Sequence, residues 1–298
     1  MKRVAVFAHY DPKNCVEDYV VYYVKALSES VDHLIFVSDC DVLPEEAENV
    51  APFVEKLILG RHGEYDFGSY KRGFQYLQEN GFLEDADELI FANDSCFGPL
   101  YPLKPILDDV SEKKWDFWGM SENPRRGIQK GIFIYRAYSP HIQSYFLVFR
   151  PQIFLDAIFS DFINSIQKQE SKGKIITRYE VGLSLLLHSH GFRSWAYMPN
   201  PLHKYSWDWE IAKYHIFLLK LNVFRFQMKK YRLNYYWKER MRLLTAYPVE
   251  LIENCSRFHP VPSFLESPRR KVAFILCRLL HIIFPFFFGR YVPPNKSV

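Results

Sequence analysis

The sequence predicts an α/β protein: a mainly parallel β-sheet flanked by helices, followed by a basic, amphipathic helical C-terminal region. Three observations carry this. Over the first two hundred residues, short apolar runs alternate with stretches whose apolar residues recur at helical spacing, the β-α-β order of a parallel sheet. Each of the first four apolar runs ends in polar side chains, where such a sheet binds its ligands. Residues 211–245 then hold nine Lys or Arg against a lone Glu239. The chain has 298 residues, 48% hydrophobic and 24% charged, which suits one large or two ordinary domains and excludes disorder. The change in composition predicts one domain over residues 1–210 and a second region over 211–298.

Residues 3–8 are an apolar run and predict a buried strand. Residues 17–30 have helical spacing, 33–38 make a second strand, 44–51 a short helix and 54–59 a third strand. Residues 68–80 predict a helix, because Phe67, Tyr70, Phe74 and Leu77 share a face and Asn80-Gly81 stops it. Residues 88–92 predict a fourth strand. Met1-Lys2-Arg3 leads straight into the first strand, so no signal peptide is expected. Five scattered cysteines without CxxC spacing argue against a disulfide scaffold or a zinc site, and fit a reducing cytosol.

The residues just after the strands are His9-Tyr10-Asp11, Ser38-Asp39-Cys40-Asp41, the stretch from Arg61 to Asp66, and Asn93-Asp94-Ser95. No GxGxxG, GxxxxGK[ST] or GxSxG word is present, which disfavours a dinucleotide fold, a P-loop NTPase and a serine hydrolase. What remains is a crevice of acids, amides and one arginine, suited to a hydrated, phosphate-bearing, metal-assisted substrate. Oxygen ligands at the density of Asn93-Asp94-Ser95 suit Mg²⁺ or Mn²⁺. The same triplet also fits a turn that merely ends a strand. Asp66 is placed either to cap the helix that follows or to bind a ligand. His141-Ile142-Gln143-Ser144 puts polar side chains before an apolar strand. Tyr179-Glu180 opens another helix, whose dipole keeps Glu180 ionised while burial pushes its pKa toward neutrality, as a general base requires. His203 lies among Tyr205, Trp207 and Trp209, which could floor a sugar ring.

The basic stretch 211–245 is threaded with aromatics, which suits an anionic partner with apolar character, membrane headgroups or nucleic acid, or else a solvated helical face. Residues 272–288 tip the balance toward the membrane, the alternative being a C-terminal helix docked on the core. Their twelve Val, Leu, Ile and Phe residues favour insertion by roughly 4–7 kcal/mol, and mid-span Arg278 returns about 3 of that. The run is short for a span, at about 26 Å against a hydrocarbon core of about 30 Å. It is expected to lie in the interface, and nucleic acid is not expected as a partner.

Four ordered words, Tyr65-Asp66-Phe67-Gly68-Ser69-Tyr70-Lys71, the run from Asn93 to Leu100, Asp116-Phe117-Trp118-Gly119 and the run from His141 to Phe146, resemble the rhamnan synthesis protein F family of bacterial glycosyltransferases. The resemblance covers roughly residues 4–198. It implies a GT-A-type nucleotide-diphospho-sugar fold for residues 1–210 and a role in building O-antigen, capsule or rhamnan. Asn93-Asp94-Ser95 stands at the place of the metal-binding DxD, with Asp94 as metal and diphosphate contact and Asn in the first position. Tyr10, Asp39 and Arg61 stand where the nucleoside binds, with Asp66 and Ser95 beside it. Glu180 resembles the acid that serves as base in inverting members, without the second acid usual there. His141, Gln143, Ser144 and His203 then face the donor sugar or the acceptor, with His141 counted as catalytic. The implied partners are a nucleotide-diphospho-sugar, a polyprenyl-diphosphate-linked glycan, the inner face of the cytoplasmic membrane and other polysaccharide-assembly glycosyltransferases, with a divalent cation as cofactor. The alternative is a non-catalytic sugar-nucleotide or glycan-binding scaffold.

Overall fold

The computed structural model describes residues 1–130, 133–198, 207–223 and 237–256. The chain opens with β1 (Arg3–His9), α1 (Asp18–Ser28), β2 (His33–Ser38), α2 (Pro44–Ala47), β3 (Lys56–Leu59), α3 (Tyr65–Glu79) and β4 (Glu88–Asn93). All seven residues of β1 are buried, so both faces of the sheet are covered. Its side chains alternate. Ala5 and Phe7 pack with Tyr19, Val20, Tyr23, Val24 and Leu27 of α1, and Val4 and Val6 pack with Phe67, Tyr70, Phe74 and Leu77 of α3 on the other face. Each of the aliphatic side chains buried on α1 contributes about 1.5–3 kcal/mol. Gly73 lets α3 approach β1 closely, since a Cβ there would stand 2.3 Å from Val6 Cγ1.

The chain continues through β5 (Cys96–Phe97), α4 (Leu103–Ser111), β6 (Phe117–Lys130), β7 (Phe133–Ile142), β8 (Phe146–Phe149), α5 (Pro151–Phe154), α6 (Ala157–Asn164), α7 (Lys172–Ile175), α8 (Val181–Ser189) and β9 (Ser194–Met198). The strand order is β3-β2-β1-β4-β8-β6-β7, with β9 also paired to β6. β1 runs parallel to β2 and β4, β2 to β3, and β6 to β9, while β8 is antiparallel to β4 and β6. The sheet is therefore mostly parallel, as the sequence predicts. The long β6–β7 hairpin was not legible in it. Its register shifts between Asn123 and Arg125, where Pro124 has no N–H to give the ladder.

Two helix starts differ from the sequence expectation. α3 begins at Tyr65, whose φ of 58° makes the left-handed turn that starts it early. Asp66 is thus inside the first turn, with no capping hydrogen bond at the helix start. The helix expected to open at Tyr179-Glu180 begins earlier, in α7, and passes through a π-turn over Ile176–Glu180 into α8. Glu180 therefore lies within continuous helix and gains nothing from a helix N-terminus.

Past residue 210 the described chain stays on the same core. α9 (Trp207–Tyr214) leads to β10 (Leu219–Lys220), which pairs antiparallel with β5, and α10 (Trp237–Leu244) and α11 (Val249–Glu253) follow. Ile211, Ile216, Phe217, Leu218, Leu219, Trp237, Met241, Val249 and Ile252 are buried in one cluster with the inner side of α1 and β1. Among the described residues no helix is long and apolar enough to cross a membrane. The apolar run 272–288 and His203 lie outside the described residues.

Candidate active site

From β1 the chain reaches β2 by way of α1, on one face of the sheet, and later enters β4 from α3, on the other. The boundary between β1 and β4 is therefore a topological switch point, where an open α/β sheet leaves a crevice at its carboxyl ends. The polar residues gather here. The Tyr10 amide donates to Asp94 Oδ2 across the switch at 3.1 Å, and the Tyr19 hydroxyl donates to the Asp94 carbonyl at 2.9 Å.

Asn93 ties the next residues together. Its Nδ2 donates to Asp66 Oδ2 at 2.8 Å, and its Oδ1 accepts from the Ser95 amide at 3.1 Å and hydroxyl at 2.5 Å. An aspartate at 93 would have no N–H to give Asp66 and would add a carboxylate beside it. Asp66 is reached by solvent at its edge, yet protein desolvates its carboxyl. That desolvation, with the charges of Asp94 and Glu180, pushes its pKa from 3.8 to about 6, against Lys172 and the Asn93 hydrogen bond.

β8 is antiparallel to β4, so its start lies at this same end of the sheet, beside Glu180. The Ser144 amide and hydroxyl both donate to Glu180 Oε2, at 2.8 and 2.6 Å. Glu180 Oε1 lies 3.6 Å from His141 Nε2, an ion-pair separation just longer than a hydrogen bond. His141 Nδ1 meets the Ser139 carbonyl at 2.8 Å, so Nδ1 carries a proton and Nε2 faces the carboxylate. Burial disfavours the Glu180 charge, but His141, the two Ser144 donors and the Lys220 charge outweigh it, and its pKa is lowered. The expected rise toward neutrality is reversed. Burial likewise opposes the His141 charge and loses to Glu180, so that pKa is raised.

The profile of rhamnan synthesis protein F matches residues 34–271. The chain belongs to that family. Among curated relatives it is 24% identical over 189 residues to the uncharacterized protein y4gN of Sinorhizobium fredii, covering 63% of this chain and 46% of that one. It is 29% identical over 147 residues to the virulence protein VirA of Vibrio anguillarum, covering 47% and 40%. The chain thus spans less than half the length of these relatives. Among solved structures it overlays on 4-diphosphocytidyl-2C-methyl-D-erythritol synthase with a TM-score of 0.43 and 14% identity, covering 67% of this chain and 88% of that one. On core-mannan synthase A of Aspergillus fumigatus, in its Mn/GDP form, the TM-score is 0.37 and the identity 7%, with 62% and 69% covered.

Much of the rhamnan synthesis protein F word pattern has a packing reason. A Cβ on Gly68 would stand 2.3 Å from Glu64 Cβ, and one on Gly119 would stand 2.3 Å from Ile142 Cγ2 and 2.5 Å from the Phe146 carbonyl. Phe67 packs on Tyr70 and Tyr179, and the Tyr70 hydroxyl donates to the Ser144 carbonyl at 2.8 Å. The words therefore place α3 and β6 against the residues that hold Glu180.

Of the predicted site residues, the structure brings Asp66, Asn93, Asp94, Ser95, His141, Ser144 and Glu180 into one crevice, with Tyr10 exposed at its lip. Gln143 is tied in through Ser121, whose hydroxyl meets Gln143 Oε1 and the Tyr145 hydroxyl, both at 2.8 Å. Asp39 braces a loop, accepting from the amides of His62 and Gly63 at 2.6 and 2.8 Å. Arg61 is exposed and donates to Asp41 at 2.5 Å and Asn14 at 2.8 Å.

The donor set is oxygen-rich and fits a divalent cation: the Asp66–Asp94 repulsion is what such an ion relieves. Among the described residues, the three ligand atoms within 4.8 Å of one another belong instead to Asp11, Cys15 and Glu17. Burial, then Asp11, pushes the Cys15 thiol up to about 11, so it is protonated there at neutral pH. One residue of the crevice escaped sequence reasoning. Lys220, read as part of a basic surface, reaches in over the Tyr145 ring at 4.2 Å.

Proposed function

We propose that this chain is a GT-A-type glycosyltransferase that moves a sugar from a nucleotide-diphospho-sugar to a lipid-linked glycan during synthesis of a bacterial cell-surface polysaccharide. The observation that carries it is the pairing, at the switch point, of a carboxylate pair suited to a cation with an ionised glutamate held by the two Ser144 donors and the nearby His141. Membership of the rhamnan synthesis protein F family supports the polysaccharide.

In this reading Glu180 takes the proton of an acceptor hydroxyl as that oxygen bonds to the anomeric carbon. The bond from that carbon to the diphosphate breaks, its electron pair leaves with the nucleoside diphosphate, and the configuration inverts. A lowered pKa means Glu180 is ionised across the neutral range, so every molecule is ready to accept the proton. Ser144 fixes the carboxylate, and His141 balances its charge. Asp94 and Asp66 would hold Mg²⁺ or Mn²⁺, which when bound neutralises diphosphate charge. Tyr10 at the lip would meet the nucleoside. A polyprenyl-diphosphate-linked acceptor at the inner face of the cytoplasmic membrane is supported by the basic stretch 211–245 and the apolar run 272–288.

A second reading has its own observation. Both Glu180 oxygens already face partners, as in a purely structural carboxylate, and this favours a binding scaffold without catalysis. Thermal stability against UDP-, dTDP- and GDP-sugars, with and without Mn²⁺, tests the common ground. A ligand at a hundred times its Kd adds about 2.7 kcal/mol. A shift with one nucleotide family, enlarged by Mn²⁺, supports the site, and protection without release of nucleoside diphosphate supports the scaffold. No shift with any donor refutes both.

A further inference from the structure

Resting on that reading, we propose that Lys220 is the side chain that binds the diphosphate of the donor and of the departing nucleoside diphosphate. Its backbone is placed beside the crevice by strand pairing. Lys220 stands opposite Cys96 in the β10–β5 ladder, and the Leu221 amide donates to the Ser95 carbonyl at 3.0 Å. Two residues before Cys96 is Asp94. The ladder is anchored by Phe217, Leu218 and Leu219, all buried, and it sits tight on Gly98, where a Cβ would meet the Phe217 carbonyl at 2.7 Å. The position of Lys220 thus follows from the core and needs no ion pair to set it.

The ammonium is held in an unusual way. It lies over the Tyr145 ring at 4.2 Å, and among the described residues it makes no hydrogen bond and no ion pair within contact distance. A ring face attracts a cation without using its N–H donors. All three donors of Lys220 stay available to oxygen acceptors. Tyr145 itself is fixed, since its hydroxyl meets Ser121, which meets Gln143. Against burial, which is the largest influence on Lys220, the Cys96, Glu180 and Asp66 groups favour its charge without touching it, and Lys172 opposes it. A lysine serving only to balance those acids would close onto one of them. Burial lowers its pKa, a cost that a bound diphosphate would offset.

In the transfer step Lys220 moves no proton. It donates hydrogen bonds to diphosphate oxygens as the electron pair of the breaking carbon–oxygen bond arrives there. The test compares affinities of the full chain for UDP, dTDP and GDP with those for uridine, thymidine and guanosine, in Mn²⁺ and in EDTA, for wild type, Lys220→Met and Lys220→Arg. The ratio within one protein cancels damage to the nucleoside pocket. Wild type should favour one diphosphate over its nucleoside, and Lys220→Met should lower that ratio about tenfold to a hundredfold. Lys220→Arg should restore part of it, and Lys220→Gln replaces Lys220→Met if that variant does not fold. An unchanged ratio, or nucleoside and diphosphate affinities falling together, overturns the role of Lys220. A wild type that binds none of the diphosphates overturns the reading of the site, and this inference with it.

Discussion

Replacing Asp66 by Asn should stabilise the protein at neutral pH. The Asp66 carboxyl titrates near 6 in the fold, against an ordinary 3.8. A group whose folded pKa is raised binds its proton more tightly in the fold than in the unfolded chain. Its stability contribution is therefore fully present below pH 3.8 and is lost as pH rises through 6. Once both states are ionised the cost is roughly 3 kcal/mol. Solvent at the edge of the residue trims this to about 1–3 kcal/mol. Asparagine keeps an oxygen to accept from Asn93 Nδ2 and removes the charge that repels Asp94 and Glu180. Urea unfolding at pH 7.5 should show Asp66→Asn about 1–3 kcal/mol more stable than wild type, with little difference at pH 4. Mn²⁺ should raise wild-type stability at pH 7.5 and do much less for the variant. A variant destabilised equally at both pH values would refute the charge repulsion, because the loss would then come from packing or hydrogen bonding.

Gly119→Ala should cost about 2 kcal/mol or more in chemical denaturation, because one clash is with the Phe146 carbonyl, which cannot move without breaking sheet pairing. Ser144→Ala should raise the Glu180 pKa, read as an acid limb of the pH–rate profile that moves upward; an unmoved limb contradicts the assignment. A chain cut after residue 210 should fail to fold cooperatively, since it exposes the partners of Ile216, Phe217, Leu218 and Leu219; a cut chain with near wild-type melting temperature would show the later segments to be dispensable.

The sheet was legible because burial on both faces leaves unbroken apolar runs inside its central strands, Val4 to Ala8, Leu34 to Val37 and Leu89 to Ala92. β2 was read residue for residue, and β1 and β4 to within one residue. The crevice was legible for the same reason: where such a strand ends, Asn93-Asp94-Ser95 stands out. The early start of α3 was not, because it rests on a left-handed Tyr65, a backbone state that non-glycine side chains rarely signal. Glu180 was found, but its environment was misjudged. Sequence shows that an acid will be buried, and not that Ser144 and His141, some 36 to 39 positions away, will arrive to hold its charge. Lys220 was missed because it sits among nine cations and only the pairing of β10 with β5 separates it from the rest. Asp39 and Arg61 read as ligand contacts because loops after strands usually are, whereas here they also brace their own turns.

Release of nucleoside diphosphate from UDP-, dTDP- and GDP-sugars by the full chain with a polyprenyl-diphosphate-linked glycan, wild type against Glu180→Gln, tests the account most directly. One nucleotide family should be consumed, and Glu180→Gln should lose about a hundredfold or more of the rate while still binding the donor. Donor binding without release by the wild type, or release undiminished in Glu180→Gln, would contradict the account.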